Sequence, residues 1–129
     1  MATSDVNKLI GVLFLSRNLA HQAHLKARGI GSYAAHTALG DFYEAIVEKA
    51  DAFAEAWMGC YDAPVVAELD NEAMEVTGDD IAKTLRAHVD YVKANRAKVC
   101  GANETALLNM IDDIVATYYA VLYKLSFLK

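Results

Sequence analysis

The sequence predicts an all-α chain folded as one four-helix-bundle domain over residues 1–129, with a long connection between helices 2 and 3. Three observations lead there. Only one proline and seven glycines interrupt a chain that is 55% hydrophobic, and few breakers among many alanines favour long helices. Apolar residues recur at helical spacing, as in Val6, Leu9, Ile10, Leu13, Ala20 and then His24. Glycines fall where helices must stop, at Gly29, Gly59 and Gly101.

The elements follow in order. Ser4 is placed to cap a first helix that runs to about Arg28, and Gly29 sits where a left-handed C-cap is needed. Ile30-Gly31 makes the turn, and Ser32 caps a second helix that runs to Met58 and stops at Gly59. At roughly 1.5 Å per residue that helix is about 40 Å long. Cys60 to Gly78 is mixed: Pro64 breaks the pattern, and Val65–Leu69 suits a short helix or a turn crossing the bundle end. Thr77 with Asp80 resembles a capping arrangement for a third helix from about Asp79 to Cys100. Asn103 then caps a fourth, which carries Leu107, Leu108, Ile111, Ile114, Val115, Tyr118, Leu122 and Leu125 to the C-terminus. Short links force antiparallel neighbours, while one long link permits the crossover connectivity of ferritin-type bundles.

Bulk charge narrows the function. A net charge of −5 and a pI near 5.2 argue against unaided binding of nucleic acid, which needs concentrated positive surface, and favour cations as partners. Cys60 and Cys100 lack metal-type spacing and read as reduced thiols of a cytosolic protein. The opening MATSDVNK has no signal-peptide pattern, and no apolar run reads as a bilayer span, so a soluble intracellular protein is expected.

The chemistry concentrates between His24 and Glu55. With His36 at zero on the wheel of the second helix, Glu44 lies near 80°, Asp51 near 60° and Glu55 near 100°, all within one arc at the edge of the apolar face. Distance then decides what they can do together. His36 and Asp51 are about 22 Å apart along the helix, so one ion with ligands at about 2 Å cannot touch both within a chain. A two-fold partner running antiparallel along the second helix, crossing near Tyr43 and Glu44, brings His24 and His36 of one chain beside Asp51 and Glu55 of the other.

The same stretch resembles the Dps-like mini-ferritins. Their motif has a histidine, Arg-Gly four and five places on, and a second histidine 12 positions after the first; this chain has His24, Arg28-Gly29 and His36. Their later acidic pair matches Asp51 and Glu55. The resemblance implies a ferritin-like bundle, a homodimer with an inter-subunit iron site formed by His24, His36, Asp51 and Glu55, and a hollow shell, commonly of twelve subunits. It implies oxidation of Fe(II) by peroxide or oxygen, with iron stored inside; mixed imidazole and carboxylate ligands suit iron. The departures are Gly40, where the family usually has an aspartate, and Leu25, where it usually has tryptophan. Glu44 is the candidate replacement acid. The lysine-rich DNA-binding tail is missing, so DNA is not an expected partner. The short chain also resembles mini-ferritin-like proteins of tailed bacteriophages, which leaves a structural virion or assembly component with a degenerate metal site as the alternative.

Other polar residues read as scaffold. His21 and His88 lack a matching constellation, Tyr118, Tyr119 and Tyr123 suit packing, and Lys83, Arg86, Lys93 and Arg96 suit a solvated face. Asp112-Asp113 fits either a polar face or an acidic iron pore.

Overall fold

The computed structural model describes residues 3–69 and 80–128, and these form four helices: α1 (Thr3–Lys26), α2 (Ser32–Tyr61), α3 (Ile81–Val99) and α4 (Thr105–Phe127). Each turns one apolar stripe inward. Leu9, Ile10 and Leu13 of α1, Phe42, Ile46, Phe53 and Trp57 of α2, Leu85, Val89 and Val92 of α3, and Ile111, Ile114 and Tyr118 of α4 meet in one core. α1 packs along α2 and α3, and α4 packs along the same two helices, so α1/α4 and α2/α3 lie across the diagonals.

Side-chain bonds fix the directions. Lys49 pairs with Asp113 at 3.0 Å and Asp41 with Lys124 at 3.7 Å, so α2 and α4 run antiparallel. The Trp57 indole N–H donates to the Val99 carbonyl at 2.7 Å, which sets the C-terminal ends of α2 and α3 at the same end of the bundle. α2 and α3 therefore run in the same direction, and the chain between them must return along the bundle. Its described part does so against α1: Val66 and Glu68 donate their backbone N–H groups to the Asn7 side chain at 3.0 Å and the Asn7 carbonyl at 2.9 Å. Gly11 makes room for this, since a Cβ there would stand 1.8 Å from the Glu68 carbonyl oxygen.

Several helix ends differ from the sequence expectation. Ser4 lies inside α1, which stops at Lys26 and not Arg28. Ser32 is the first helical residue of α2; the N-cap is Gly31, in the left-handed region at φ 81. Gly59 does not end α2, which continues to Tyr61 and is capped by Asp62 at φ 50. The reason is tertiary: one turn beyond Trp57, the Tyr61 hydroxyl accepts from Gly101 N–H at 2.7 Å, and these bonds override the low helix propensity of glycine. Val65–Leu69 is neither helix nor turn but irregular chain on α1. α3 starts at Ile81, capped by Asp80, whose carboxylate accepts from Lys83 N–H at 3.1 Å. The expected roles of Thr77, Gly78 and Asp79 lie outside the described residues. Helix 3 ends at extended Cys100, and Glu104, not Asn103, is the N-cap position of α4. α4 is long and apolar enough, at mean hydropathy 1.2, to pass as a membrane span by length and composition alone, contrary to expectation.

Candidate metal centre

The turn between α1 and α2 is built by two glycines with positive φ, Gly29 at 87° and Gly31 at 81°, values that an L side chain rarely adopts. Ser32 N–H closes it onto the Gly29 carbonyl at 3.1 Å. This tight return brings the last turn of α1 against the first turns of α2, and there His24 and His36 meet.

Their contact is reciprocal. His24 Nδ1 lies 2.6 Å from the His36 carbonyl oxygen, and His36 Nδ1 lies 2.9 Å from the His24 carbonyl oxygen. A carbonyl oxygen only accepts, so both Nδ1 atoms carry the proton and donate it. The His24 carbonyl is one of the last-turn acceptors of α1 that the helix itself leaves unpaired, so this bond also caps the helix. In the neutral tautomer this leaves Nε2 of both rings with a lone pair, the form that ligates a metal while the other ring nitrogen is anchored to a carbonyl. The rings stack at 3.6 Å with 20° between their planes. Two imidazoles that ligate one ion radiate from it, so joint ligation requires the pair to splay.

Gly40 belongs to this arrangement. A Cβ on it would stand 3.2 Å from His24 Cε1 and 3.3 Å from His24 Nδ1. The place where the resemblance expects an acid is thus the floor under the His24 ring. Around the pair is an aromatic cluster that the sequence did not reveal. His21 stacks on Tyr43 at 4.3 Å, the Tyr43 ring meets His24 edge-on at 5.4 Å, and the Arg17 guanidinium lies 5.2 Å from the Tyr43 ring centre. The spacing of His21 and His24, one turn apart on α1, is the signal that would have found it.

The acidic residues do not join the histidines within this chain. Asp51 and Glu55 are exposed on α2, about 22 Å and 28 Å along the helix from His36, and Glu44, also exposed, is about 12 Å away. Among the described residues no group of three or more His, Cys, Asp or Glu side chains is placed to hold a metal ion. One chain thus holds two oriented imidazoles at the α1–α2 junction, with the acids on the solvent face of α2.

Elsewhere the polar residues serve the scaffold. Ser16, fully buried, has its hydroxyl 2.5 Å from His88 Nδ1 and 2.6 Å from the Tyr118 hydroxyl. Burial pushes the Tyr118 phenol far above its usual range, against a smaller opposing effect of the Ser16 bond. Asp112 makes a bidentate pair with Arg96 at 2.7 and 2.9 Å, and the Arg96 hydrogen bond lowers its pKa. Asp113 pairs with Lys49, so both members of the Asp112-Asp113 pair meet cations of their own chain. Cys60 is exposed and Cys100 buried, both are free thiols, and desolvation raises the pKa of each.

Comparison with known proteins finds one family, described as a family of unknown function (DUF5856), that matches residues 24–125. No curated protein and no solved structure matches the chain.

Proposed function

We propose that this chain, which belongs to the family DUF5856, is an iron-oxidising mini-ferritin whose metal site is completed between two copies. The observation that carries the reading is the reciprocal bond between His24 and His36. It orients two imidazoles at one helix junction and leaves Nε2 of each as the ligand atom. Helix order supports the ferritin-like part: α2 and α3 run the same way on a diagonal, which is the connectivity of a bundle with one long crossover.

Iron is the substrate. Fe(II) would be held by Nε2 of His24 and His36 and by the carboxylates of Asp51 and Glu55 from a second copy running antiparallel along α2. Imidazoles with two carboxylates form a site of charge −2 that suits Fe(II) and stabilises Fe(III) further. A peroxide takes two electrons, so two ferrous ions are oxidised per peroxide, and with two protons two waters form. The chain's own work is to orient the imidazoles, supply the carboxylates and deliver the ion to a shell interior for storage. The same reading implies a cytoplasmic protein of a bacterium or phage-infected cell with no role on DNA, and self-assembly into a dodecamer-like shell.

A second reading, a structural oligomer on the same fold with a degenerate metal site, is favoured by the flat stacking of the two rings at 3.6 Å and by the glycine at position 40. Anaerobic Fe(II) titration followed by peroxide separates the two. Saturable binding and rapid oxidation, lost in both His36→Ala and Asp51→Ala, is the expected result. An assembled oligomer that binds no Fe(II) sinks the ferroxidase reading and leaves the structural one.

A further inference from the structure

Two thiols that the metal-site reading does not use come together at the end of the bundle away from His24 and His36. α2 carries Cys60 in its last turn, and α3 gives way at Cys100 to the link that leads into α4. Bonds on both sides of Cys100 fasten that link to the end of α2. Directly before it, the Val99 carbonyl accepts from the Trp57 indole N–H at 2.7 Å; directly after it, the Gly101 N–H donates to the Tyr61 hydroxyl at 2.7 Å. Trp57 and Tyr61 bracket Cys60 within about one turn of helix, so both cysteines stand at one level of the bundle.

The two sulfurs differ in access. Cys60 is exposed, whereas Cys100 is 1% exposed and belongs to the core. Glu104 serves both. Its N–H donates to the Gly101 carbonyl at 3.0 Å, and its carboxylate accepts from the Cys60 thiol. Desolvation first, and then this bond and the carboxylate's charge, push the Cys60 thiol up. Desolvation also pushes Cys100 up, with Arg96 of α3 opposing and the charges of Cys60 and Glu104 adding to it. Such influences are confined by water and salt to about 10 Å, so the two sulfurs and the carboxylate share one small neighbourhood.

We propose that Cys60 and Cys100 form a dithiol that hydrogen peroxide closes into a disulfide, bolting the end of α2 to the α3–α4 link. The exposed Cys60 thiolate attacks peroxide: an S–O bond forms, the O–O bond breaks, and the departing hydroxide takes up a proton as water. Cys100 then attacks the Cys60 sulfenic acid: the S–S bond forms, the S–O bond breaks, and the Cys100 proton leaves with the hydroxyl as a second water. Two thiols and one peroxide thus give one disulfide and two waters. Gly59, with open space where its Cβ would stand, leaves the last turn of α2 room to approach Cys100. Glu104 sets the pace. It holds Cys60 as the thiol, and only the thiolate reacts.

The test is peroxide treatment of the full chain in EDTA without iron, so its result is independent of the ferroxidase reading. The chain is then unfolded, alkylated with iodoacetamide and weighed intact. The parent should lose two hydrogens and take up no label, and should run as a single chain on a non-reducing gel. The bond closes a ring of about 40 residues, so the melting temperature should rise by roughly 5–15 °C and fall back with dithiothreitol. Cys100→Ser should stop at the sulfenic acid on Cys60, which dimedone traps. Closure should quicken as pH rises past about 8.5, the ordinary thiol value. Glu104→Gln keeps the helix start intact, because the Glu104 side chain makes no cap bond there. It should close about threefold faster than the parent at neutral pH and at the parent's rate in alkali. A parent chain that still takes two labels after peroxide, or whose only disulfide joins two chains, overturns the proposal. A Glu104→Gln chain that closes no faster than the parent at neutral pH overturns the part given to the carboxylate.

Discussion

Gly40 separates two explanations of the same glycine, and the structure gives them different magnitudes. If it marks a lost ligand, Gly40→Asp should restore iron binding and Gly40→Ala should be neutral for it. The geometry predicts otherwise. An added Cβ would stand 3.2 Å from His24 Cε1 and 3.3 Å from Nδ1, a few tenths of an ångström inside ordinary contact. The His24 ring must withdraw by that amount. Its bond to the His36 carbonyl, at 2.6 Å, survives the shift because N–H···O bonds extend to about 3.2 Å. Replacing glycine inside a helix meanwhile contributes about 1 kcal/mol. Fold stability should therefore stay level or rise, moving the melting temperature by roughly 0 to +6 °C. If the proposed metal site holds, affinity should fall by about tenfold, because the His24 ring is displaced from its place even though its anchoring bond survives; that is the lower end of what a disturbed supporting contact costs. Gly40→Asp should show the same loss. Calorimetric titration with Co(II), a stand-in that peroxide-free buffer does not oxidise, beside a thermal melt, reads both quantities. A Gly40→Asp chain that binds Co(II) or Fe(II) more tightly than the parent refutes the reasoning.

Three further outcomes follow from the scaffold. Gly11→Ala sets a Cβ on the Glu68 carbonyl at 1.8 Å and must lift residues 63–69 off α1, breaking the two bonds to Asn7; at about 1 kcal/mol each, less the helix gain, chemical denaturation should show a loss of about 1–2 kcal/mol. Ser16→Ala removes the hydroxyl bonded to both His88 and Tyr118 in the core, and the same assay should show about 1–3 kcal/mol. The Arg96–Asp112 pair is largely exposed, so Asp112→Asn should cost less than about 1 kcal/mol at pH 7. The Asp112 pKa is lowered in the fold, so this contribution is present above the ordinary aspartate value near 3.9 and is lost as pH falls through the folded value; parent and variant should converge in acid.

The four helices were legible because apolar period and composition are local properties. The exact ends were not, and the misses share a cause. Gly59 reads as a stop, yet Trp57 and Tyr61 on either side of it bond to Val99 and Gly101, some 40 positions away. Ser32 reads as a cap, but the left-handed backbone at Gly31 takes that position. The path of residues 63–69 had one readable sign, an isolated glycine at position 11 inside an apolar helix, where glycine costs about 1 kcal/mol against alanine and so points to a packing reason. At the candidate site, histidine spacing was legible because Gly29 and Gly31 fix the return of the chain. The His21–Tyr43 stack and the part Gly40 plays beneath His24 were not, since both depend on which faces of α1 and α2 meet.

The core raises the question of why this bundle takes its connectivity at all. Apolar burial is non-directional, so by itself it says little about which helices stand side by side. Ser16, His88 and Tyr118 say more. They come from α1, α3 and α4, 72 and 102 positions apart, and their bonds exist only when those three helices face one another at this level. In any other arrangement three polar groups would be buried without these partners, at about 1–3 kcal/mol each. α2 meets it through the Phe42 ring, centred 5.1 Å from the Tyr118 ring centre. Its place is set instead by the Gly29–Gly31 turn and the His24–His36 exchange at one end, by salt bridges to α4 along its length, and by Trp57 at the other end. Three helices are thus tied through the centre and the fourth at its margins, with the carboxylates of Glu44, Asp51 and Glu55 left on its exposed face.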